Sequence, residues 1–386
     1  MKRIHTVLIL ITAAVLLLTF SCNIDGQGIY RTIEKATETD NPDLYRETAS
    51  RILGNLTING TEYLLAVTDG GVMYGYGDSW KTLEKTELMG GKEGTYTPKQ
   101  DVVMAGTTLY ALGLAEPVVY EAEASDINTD ESKISWTAKD LGIGDFSKRT
   151  VHGIGVFKDE PFLVYSEFSD AEKKKLDTIV FLEDLDAAKA RELYDASGND
   201  AYRFSSLNVS DGHIYLSILT SGGDDAREFI SFRFDDAFAV SDITSDVKPA
   251  GKARITGAVT IPAGGDDFIT AFDPNGSSSH LYRINAVGAF SEPKLPAVFS
   301  LDRHATAMIA LDASILLIAG RTGLYRYNPQ DTDLPAWQPG EEFHTILKDK
   351  KINDFFLYGT GYQFYSAVQN HWVLKVDGKD NPASRL

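Results

Sequence analysis

The 386-residue chain contains a single cysteine, Cys22. One cysteine excludes a disulfide framework and any zinc or iron–sulfur cage that is built from several thiolates. Positive charge is also scarce, because 37 Lys and Arg stand against 55 Asp and Glu and give a formal net charge of −18. Nucleic-acid binders draw much of their affinity from cationic side chains on phosphates, so we expect no nucleic-acid partner.

Motifs of catalysis and cofactor binding are missing as well. The sequence has no nucleophile elbow, no P-loop, no dinucleotide fingerprint and no paired-carboxylate signature. Its seven histidines are scattered, and its Asp-rich turns lack the spacing of a calcium loop. We therefore predict no catalytic residue, no metal ligand and no cofactor, and the sequence leaves open whether the protein is an enzyme.

A long apolar run occurs once, near the N-terminus. Lys2 and Arg3 precede an uncharged stretch from Thr6 to Ser21, which has the layout of an export signal and is short for a membrane span. The run ends in LLLTFSC, with the small Ser21 directly before Cys22. This segment resembles the lipobox-type signal of bacterial lipoproteins.

The resemblance implies that residues 1–21 are a signal peptide and that Cys22 carries the lipid. Two or more acyl chains attach a protein stably to a membrane. We therefore expect the protein in the cell envelope, anchored to a bacterial membrane through Cys22, with its body in the periplasm or at the cell surface. An ordinary cleavable signal with an incidental cysteine and an uncleaved anchor helix are the alternatives.

Short apolar strands recur along the rest of the chain. The central strand of each repeat is centred on one of seven apolar residues, Leu64, Leu109, Phe162, Ile214, Phe268, Leu316 and Phe364. Their spacings are 45, 53, 52, 54, 48 and 48 residues. Each central strand has one strand before it and one after it, and outer runs such as SWKTLE indicate a fourth.

Seven units of four antiparallel strands predict an all-β fold, a seven-bladed β-propeller over residues 49–380. Six or eight blades and a pair of packed β domains are the alternatives. Residues 22–48 are predicted as a lipidated tether and 381–386 as a tail. The last unit has no obvious fourth strand, so we expect the strand-like run at 28–36 to close the ring as its outer strand.

A basic residue stands at the start of the first strand in every unit. The seven residues are Arg51, Lys99, Arg149, Arg203, Arg254, Arg303 and Lys351. In a propeller these positions surround one mouth of the central channel, where a ring of positive charge attracts anions. The alternative is structural, with each cation paired to a carboxylate of the adjacent blade such as Asp101 or Asp354.

These observations predict a protein-interaction or ligand-binding scaffold whose site is the basic mouth of the propeller. An envelope protein or an anionic ligand is the expected partner, besides the membrane itself. The alternative function is a glycan-processing or other hydrolytic propeller, which needs two or more carboxylates at catalytic distance around the channel.

Overall fold

The polypeptide forms short antiparallel strands, and four strands make each sheet. The computed structural model describes residues 49–68, 71–76, 79–83, 102–112, 119–139, 149–168, 176–181, 191–195, 202–221, 227–235, 239–248, 250–262, 264–274, 278–293, 305–320, 324–330, 338–339, 347, 351–360, 363–368, 372–377 and 384–385. Cys22, the predicted tether and the run at 28–36 lie outside these residues.

Seven four-stranded sheets are present in the described part of the chain, each built from strands that are consecutive in sequence. Sheet 1 comprises β1 (Ala49–Ile58), β2 (Thr61–Thr68), β3 (Gly71–Tyr76) and β4 (Ser79–Thr82), and sheet 2 comprises β5 (Val102–Ala105), β6 (Thr108–Leu112), β7 (Val119–Glu123) and β8 (Thr137–Lys139). Sheet 3 comprises β9 (Arg149–Phe157), β10 (Glu160–Phe168), β11 (Leu176–Phe181) and β12 (Arg191–Asp195), and sheet 4 comprises β13 (Tyr202–Val209), β14 (Ile214–Ser221), β15 (Arg227–Phe234) and β16 (Val240–Asp242). Sheet 5 comprises β17 (Arg254–Thr260), β18 (Asp267–Asp273), β19 (Ser278–Ile284) and β20 (Phe290–Ser291), and sheet 6 comprises β21 (Ala307–Asp312), β22 (Ile315–Ala319), β23 (Leu324–Tyr327) and β24 (Gln338–Pro339). Sheet 7 comprises β25 (Ile352–Leu357), β26 (Gln363–Val368), β27 (Trp372–Asp377) and β28 (Ser384–Arg385).

The first strands of the sheets contact one another in a closed cycle. β1 contacts both β5 and β25, and the contacts continue through β9, β13, β17 and β21 back to β25. The seven-bladed β-propeller predicted from the repeats is therefore confirmed, with the first strand of each sheet at the centre. In the part of the chain that is described, no helix has the length and apolar character that crossing a membrane requires.

The second strand of each sheet carries the core, because both of its faces are covered by neighbouring sheets. β18, with the sequence DFITAFD, is buried at all seven positions. Apolar clusters join consecutive sheets, as where Leu65 of sheet 1 shares a cluster with Leu109 of sheet 2. Continuous burial explains why these strands are apolar runs rather than the alternating pattern of a one-sided sheet.

A β-bulge interrupts the first strand in sheets 1, 3, 4, 5, 6 and 7. The extra residues, which have no partner on the second strand, are Ser50 and Leu53 in sheet 1 and His152, Ser205, Thr256, Leu311 and Asn353 in the others. A bulge disrupts the hydrogen-bonding ladder and leaves nearby backbone groups that need other partners.

Side chains of the preceding sheet supply those partners. The Ile255 amide donates to Ser217 Oγ at 3.0 Å, and its carbonyl accepts from Ser206 Oγ at 2.7 Å. In the same way, Thr306 Oγ1 donates to the Ile352 carbonyl at 2.6 Å. The Ile52 amide donates to Asp354 Oδ2 at 2.9 Å across the junction between sheets 7 and 1. The bulges thus help to connect sheets 5, 7 and 1 to the sheets that precede them in the ring.

The outer strand of sheet 7 comes from the C-terminal residues. β28 pairs with β27, Leu374 opposite Arg385 and Lys375 opposite Ser384. This strand lies in the segment expected to be a tail, and it occupies the position that the sequence suggested for the run at 28–36. A strand of two residues is too short to show a period-2 pattern, which is why the sequence did not reveal it.

Candidate functional site

A cavity of about 430 Å³ lies among the first strands of the sheets. Six of the seven sheets contribute to its wall, through residues 50–51, 154–155, 207–211, 256–260, 306–308 and 353–355. Because the first strands surround the centre of the ring, we call this space the axial cavity. It is the place where one ligand can touch nearly every sheet.

Of the residues that the structure describes, three with charged side chains line the axial cavity, Arg51, Asp211 and Asp354. Arg51 is half-buried in β1, and its Nη1 donates to the Val102 carbonyl of sheet 2 at 3.5 Å. Asp354 is also half-buried and accepts the Ile52 amide. Asp211 is exposed in the turn between β13 and β14. The two carboxylates belong to sheets 4 and 7, which are three positions apart in the ring.

The seven basic residues predicted at the mouth do not share one position relative to the axial cavity. Arg51 lines the axial cavity, whereas Arg254 and Lys351, both half-buried, do not belong to its wall. Arg149 and Arg203 lie at the beginning of β9 and β13, opposite Glu167 and Leu219 of the second strands. Lys99 and Arg303 lie outside the described residues. Asp354, one of the carboxylates considered as a partner for these cations, accepts the Ile52 amide.

A buried carboxylate that the sequence did not single out connects sheets 4 and 5. Asp267 is 1% exposed. Its Oδ2 accepts from the Tyr215 hydroxyl and is bonded to His213 Nδ1, both at 2.6 Å, and its Oδ1 accepts from Thr260 Oγ1 at 2.6 Å. The Gly212 amide in turn donates to Thr260 Oγ1 at 2.9 Å.

Burial alone would raise the pKa of Asp267, but the hydrogen bonds from His213, Thr260 and Tyr215 outweigh it and hold the pKa below its usual value. The same environment raises the pKa of Tyr215, by burial first and then by the Asp267 charge. The carboxylate therefore stays charged inside the interface. This cluster fixes the turn that carries Asp211 against sheet 5.

His213 had looked isolated because its partner is 54 residues away, one whole repeat along the chain. The useful signal was Asp267 itself, an acidic residue at the start of a strand that is otherwise apolar. The Asp-rich turn that precedes this strand lacks the spacing of a calcium loop, and the role of Asp267 is evident only beside the preceding repeat, which carries His213.

His152 does not belong to the wall of the axial cavity. Its ring stacks on Phe204 of sheet 4 at 5.2 Å with an interplanar angle of 10°. Burial lowers the pKa of His152 to about 4, so the imidazole is neutral near pH 7. Among the described residues, no group of three or more His, Cys, Asp or Glu side chains is arranged to hold a metal ion.

A second cavity, of about 280 Å³, lies between sheets 5 and 6. Its wall includes Phe268, Pro329 and the ion pair of Arg283 with Asp266. Arg283 Nε donates to Asp266 Oδ2 at 2.6 Å, and Nη1 donates to the Pro329 carbonyl at 3.3 Å. These bonds already engage the Arg283 guanidinium on two sides.

No protein-family model matches the chain, and no curated protein matches it. Solved structures do. The chain is similar to the extracellular domain of the putative one-component system BT4673 from B. thetaiotaomicron, with 12% identity and a TM-score of 0.50 over 85% of this chain and 38% of that one. It is also similar to a structure from a study of two prolyl endopeptidases, with 11% identity and a TM-score of 0.50 over 87% of this chain and 48% of that one.

The chain thus spans less than half the length of either protein. At these identities the likeness concerns the fold alone. Together with the closed cycle of seven sheets, it establishes that the protein has a β-propeller body.

Proposed function

We propose that the protein is a membrane-anchored, extracytoplasmic binding module of the bacterial cell envelope. Lipid on Cys22 holds it at the membrane, residues 22–48 act as the tether, and the propeller presents its axial face to an envelope protein or an anionic ligand. The domain of BT4673 that shares the fold is also extracellular.

The observation that carries this proposal is the axial cavity, which six sheets wall together. A site at the centre of a ring gathers contacts from many repeats, so it can recognise a ligand that no single sheet holds. We expect the basic residues at the starts of the first strands to surround one end of this site, as Arg51 does on its wall. Positive charge there increases the rate and strength with which acidic groups approach a protein of net charge −18.

The anchor is tested by Cys22→Ala in the native envelope. We expect the wild-type protein to partition into the detergent phase of a Triton X-114 extract and the variant to move to the aqueous phase. Mass spectrometry of the N-terminal peptide should show acyl chains on the wild type alone. An unacylated wild-type Cys22, or a variant that still partitions into detergent, would reject the lipid anchor.

The basic face is tested by a triple replacement, Arg149→Ala, Arg203→Ala and Arg254→Ala. Binding of a fluorescent Glu-rich decapeptide to the detergent-solubilised protein should weaken by at least about tenfold at low salt, since screened surface charges still add when several converge. Envelope proteins that are cross-linked to the wild type should be captured less.

A charge-matched control replaces Lys81, Lys133 and Lys248, which are exposed away from the starts of the first strands. It should leave decapeptide binding within about twofold of the wild type, because these lysines do not surround the axis. Equal binding by the wild type and the basic-face variant, at unchanged melting temperature, would reject the basic face as the docking site.

A further inference from the structure

The first strands of sheets 4 and 5 run in the same direction along the axial cavity. Ser206 Oγ of β13 donates to the Ile255 carbonyl near the beginning of β17, and the Gly212 amide, after the end of β13, donates to Thr260 Oγ1 at the end of β17. The closed ring repeats this arrangement from sheet to sheet. The cavity therefore has one end at the beginnings of the first strands and the other at the turns that follow them.

The end at the beginnings of the strands presents N–H donors. Arg51, the third residue of β1, belongs to the wall there, and its Nη1 donates to the Val102 carbonyl at 3.5 Å. Asn353 of sheet 7 lies beside it, because Asn353 Nδ2 donates to the Ala49 carbonyl at 2.8 Å. A guanidinium has five N–H groups and a side-chain amide has two, so both groups keep donors for a ligand.

Asp354, a carboxylate of the same wall, is already engaged within the protein. It accepts the Ile52 amide at 2.9 Å and has a further partner. Its charge is therefore taken up at the junction between sheets 7 and 1. Of the charged groups on the described wall, Arg51 and Asp211 are the two that we assign to a ligand.

A carboxylate lies at the opposite end of the axial cavity. Asp211 is exposed in the turn that follows β13, and it belongs to the wall. The next two residues hold this turn against sheet 5, through the Gly212 amide on Thr260 Oγ1 and His213 Nδ1 on Asp267 Oδ2. The negative charge is thus presented on a fixed turn, where it attracts a positive group of a ligand.

The wall between the two charges suits a main chain. Asn208, three residues before Asp211, donates one N–H of its amide to the Ile255 carbonyl at 3.2 Å. Its second N–H and its carbonyl oxygen are the groups that pair with a peptide unit, which itself has one donor and one acceptor. Ala258 and Ala307 of the wall are small and leave room for a backbone.

We propose that the axial cavity binds a short peptide with free termini, its carboxylate at Arg51 and its ammonium at Asp211. Such a ligand carries opposite charges at its two ends, as the wall does, and peptide units between them. This inference rests on the proposed role of the axial cavity as a binding site, and it names the class of ligand that enters it.

The length of the ligand follows from the strands. Arg203 is the counterpart of Arg51 in β13, because each lies two positions before a bulged residue, Ser205 and Leu53. Eight positions separate Arg203 from Asp211, roughly 20–25 Å along a strand. The two charged side chains take up part of this distance. An extended peptide of about four residues, at ~3.5 Å each, then reaches both charges, whereas a single amino acid reaches one.

Calorimetry on the detergent-solubilised full-length protein tests the inference with alanine peptides. The probes are tetraalanine with free termini, its N-acetylated form, its C-amidated form and free alanine. We expect the unblocked tetraalanine to bind most tightly. Each blocked form should bind about fivefold or more weaker, because it has lost one charge-assisted contact, and alanine should bind at least about tenfold weaker.

Two variants assign each end of the peptide to its residue. Asp211→Asn should weaken binding of unblocked tetraalanine by about fivefold and leave the N-acetylated form unchanged, since that form has no ammonium to lose. Arg51→Gln should do the same for the unblocked peptide and leave the C-amidated form unchanged. Asp130→Asn and Lys133→Gln, at exposed positions on sheet 2, are the matched controls and should change no affinity.

No binding of unblocked tetraalanine would overturn the inference. So would equal affinity for the blocked forms, or variants at Asp211 and Arg51 that act alike on blocked and unblocked peptides. Circular dichroism and melting temperature check that each variant is folded. The tests of the Cys22 anchor and of the Glu-rich decapeptide use neither these probes nor these variants, so the proposed function is judged separately.

Discussion

The junctions between sheets 4 and 5 and between sheets 7 and 1 are both held by polar side chains, but the carboxylates at the two junctions differ in burial. At both, a polar side chain satisfies backbone groups beside a bulge. The first junction adds Asp267, which is 1% exposed and bonded to three side chains, two of them from sheet 4. The second relies on Asp354, which is half-buried on the wall of the axial cavity and accepts a backbone amide.

The difference teaches what each carboxylate is for. A carboxylate with three donors inside an interface ties two sheets together, because removing it would leave all three donors without their acceptor. Asp354, at the wall of the axial cavity, accepts a backbone amide of the adjacent sheet. The sheet 4–5 junction therefore rests on a fully enclosed charge, whereas the sheet 7–1 junction rests on a carboxylate that borders the cavity.

The largest expected effect comes from Asp267→Ala. The change leaves His213, Tyr215 and Thr260 without their common acceptor, so the free energy of unfolding should fall by about 3–5 kcal/mol. Urea unfolding followed by tryptophan fluorescence measures it. Asp246→Ala, at an exposed position, is the control and should change stability by less than about 0.5 kcal/mol. A loss below about 1 kcal/mol for Asp267→Ala would remove the contrast between the two junctions.

A pH titration extends the comparison to the junction between sheets 3 and 4, where His152 stacks on Phe204. The pKa of His152 falls from 6.5 to about 4 in the folded state, so the unfolded chain takes up the proton first as pH falls. Stability from this group is complete above about pH 6.5 and is lost toward pH 4, by about 3 kcal/mol in all. His152→Phe keeps the stack and should flatten this part of the stability curve. An unchanged slope in the variant would assign the pH dependence to other groups.

The smallest effect is expected at Asp354. Asp354→Ala leaves the Ile52 amide without its acceptor and should cost about 1–2 kcal/mol in urea unfolding. Asp354→Asn keeps an acceptor oxygen and should recover most of that loss. If Asp354→Ala were as damaging as Asp267→Ala, closure of the ring would depend on a charge as strongly as the sheet 4–5 junction does.

The strands of the core could be read from the sequence because each repeat shows the same local signal. Leu64, Phe268 and Phe364 lie in β2, β18 and β26, the second strands of their sheets, where both faces are buried. A continuous apolar run between turns needs no knowledge of its neighbours to be recognised. The repeat count then gave seven sheets directly.

The site was harder to predict, because it depends on which side chains meet across sheets. Arg51 reaches the axial cavity, but Arg254, in the equivalent position of sheet 5, does not belong to its wall. A bulge changes the direction of a side chain by one position, and its place cannot be read from residue types alone. The hydrogen bonds that Thr306 and Asn353 donate could not be predicted from the sequence for the same reason, since their acceptors lie in the neighbouring sheet of the ring.

Every sheet consists of four consecutive strands, and this has a consequence for how such a chain can change over generations. A stretch of about 50 residues carries one entire sheet, and it meets the next sheet through apolar clusters and through side chains that bond backbone groups. Duplication or loss of one stretch at the level of the gene would therefore alter the number of sheets without splitting any of them. A ring of another size would then close only if the sheets at its two ends still fitted each other.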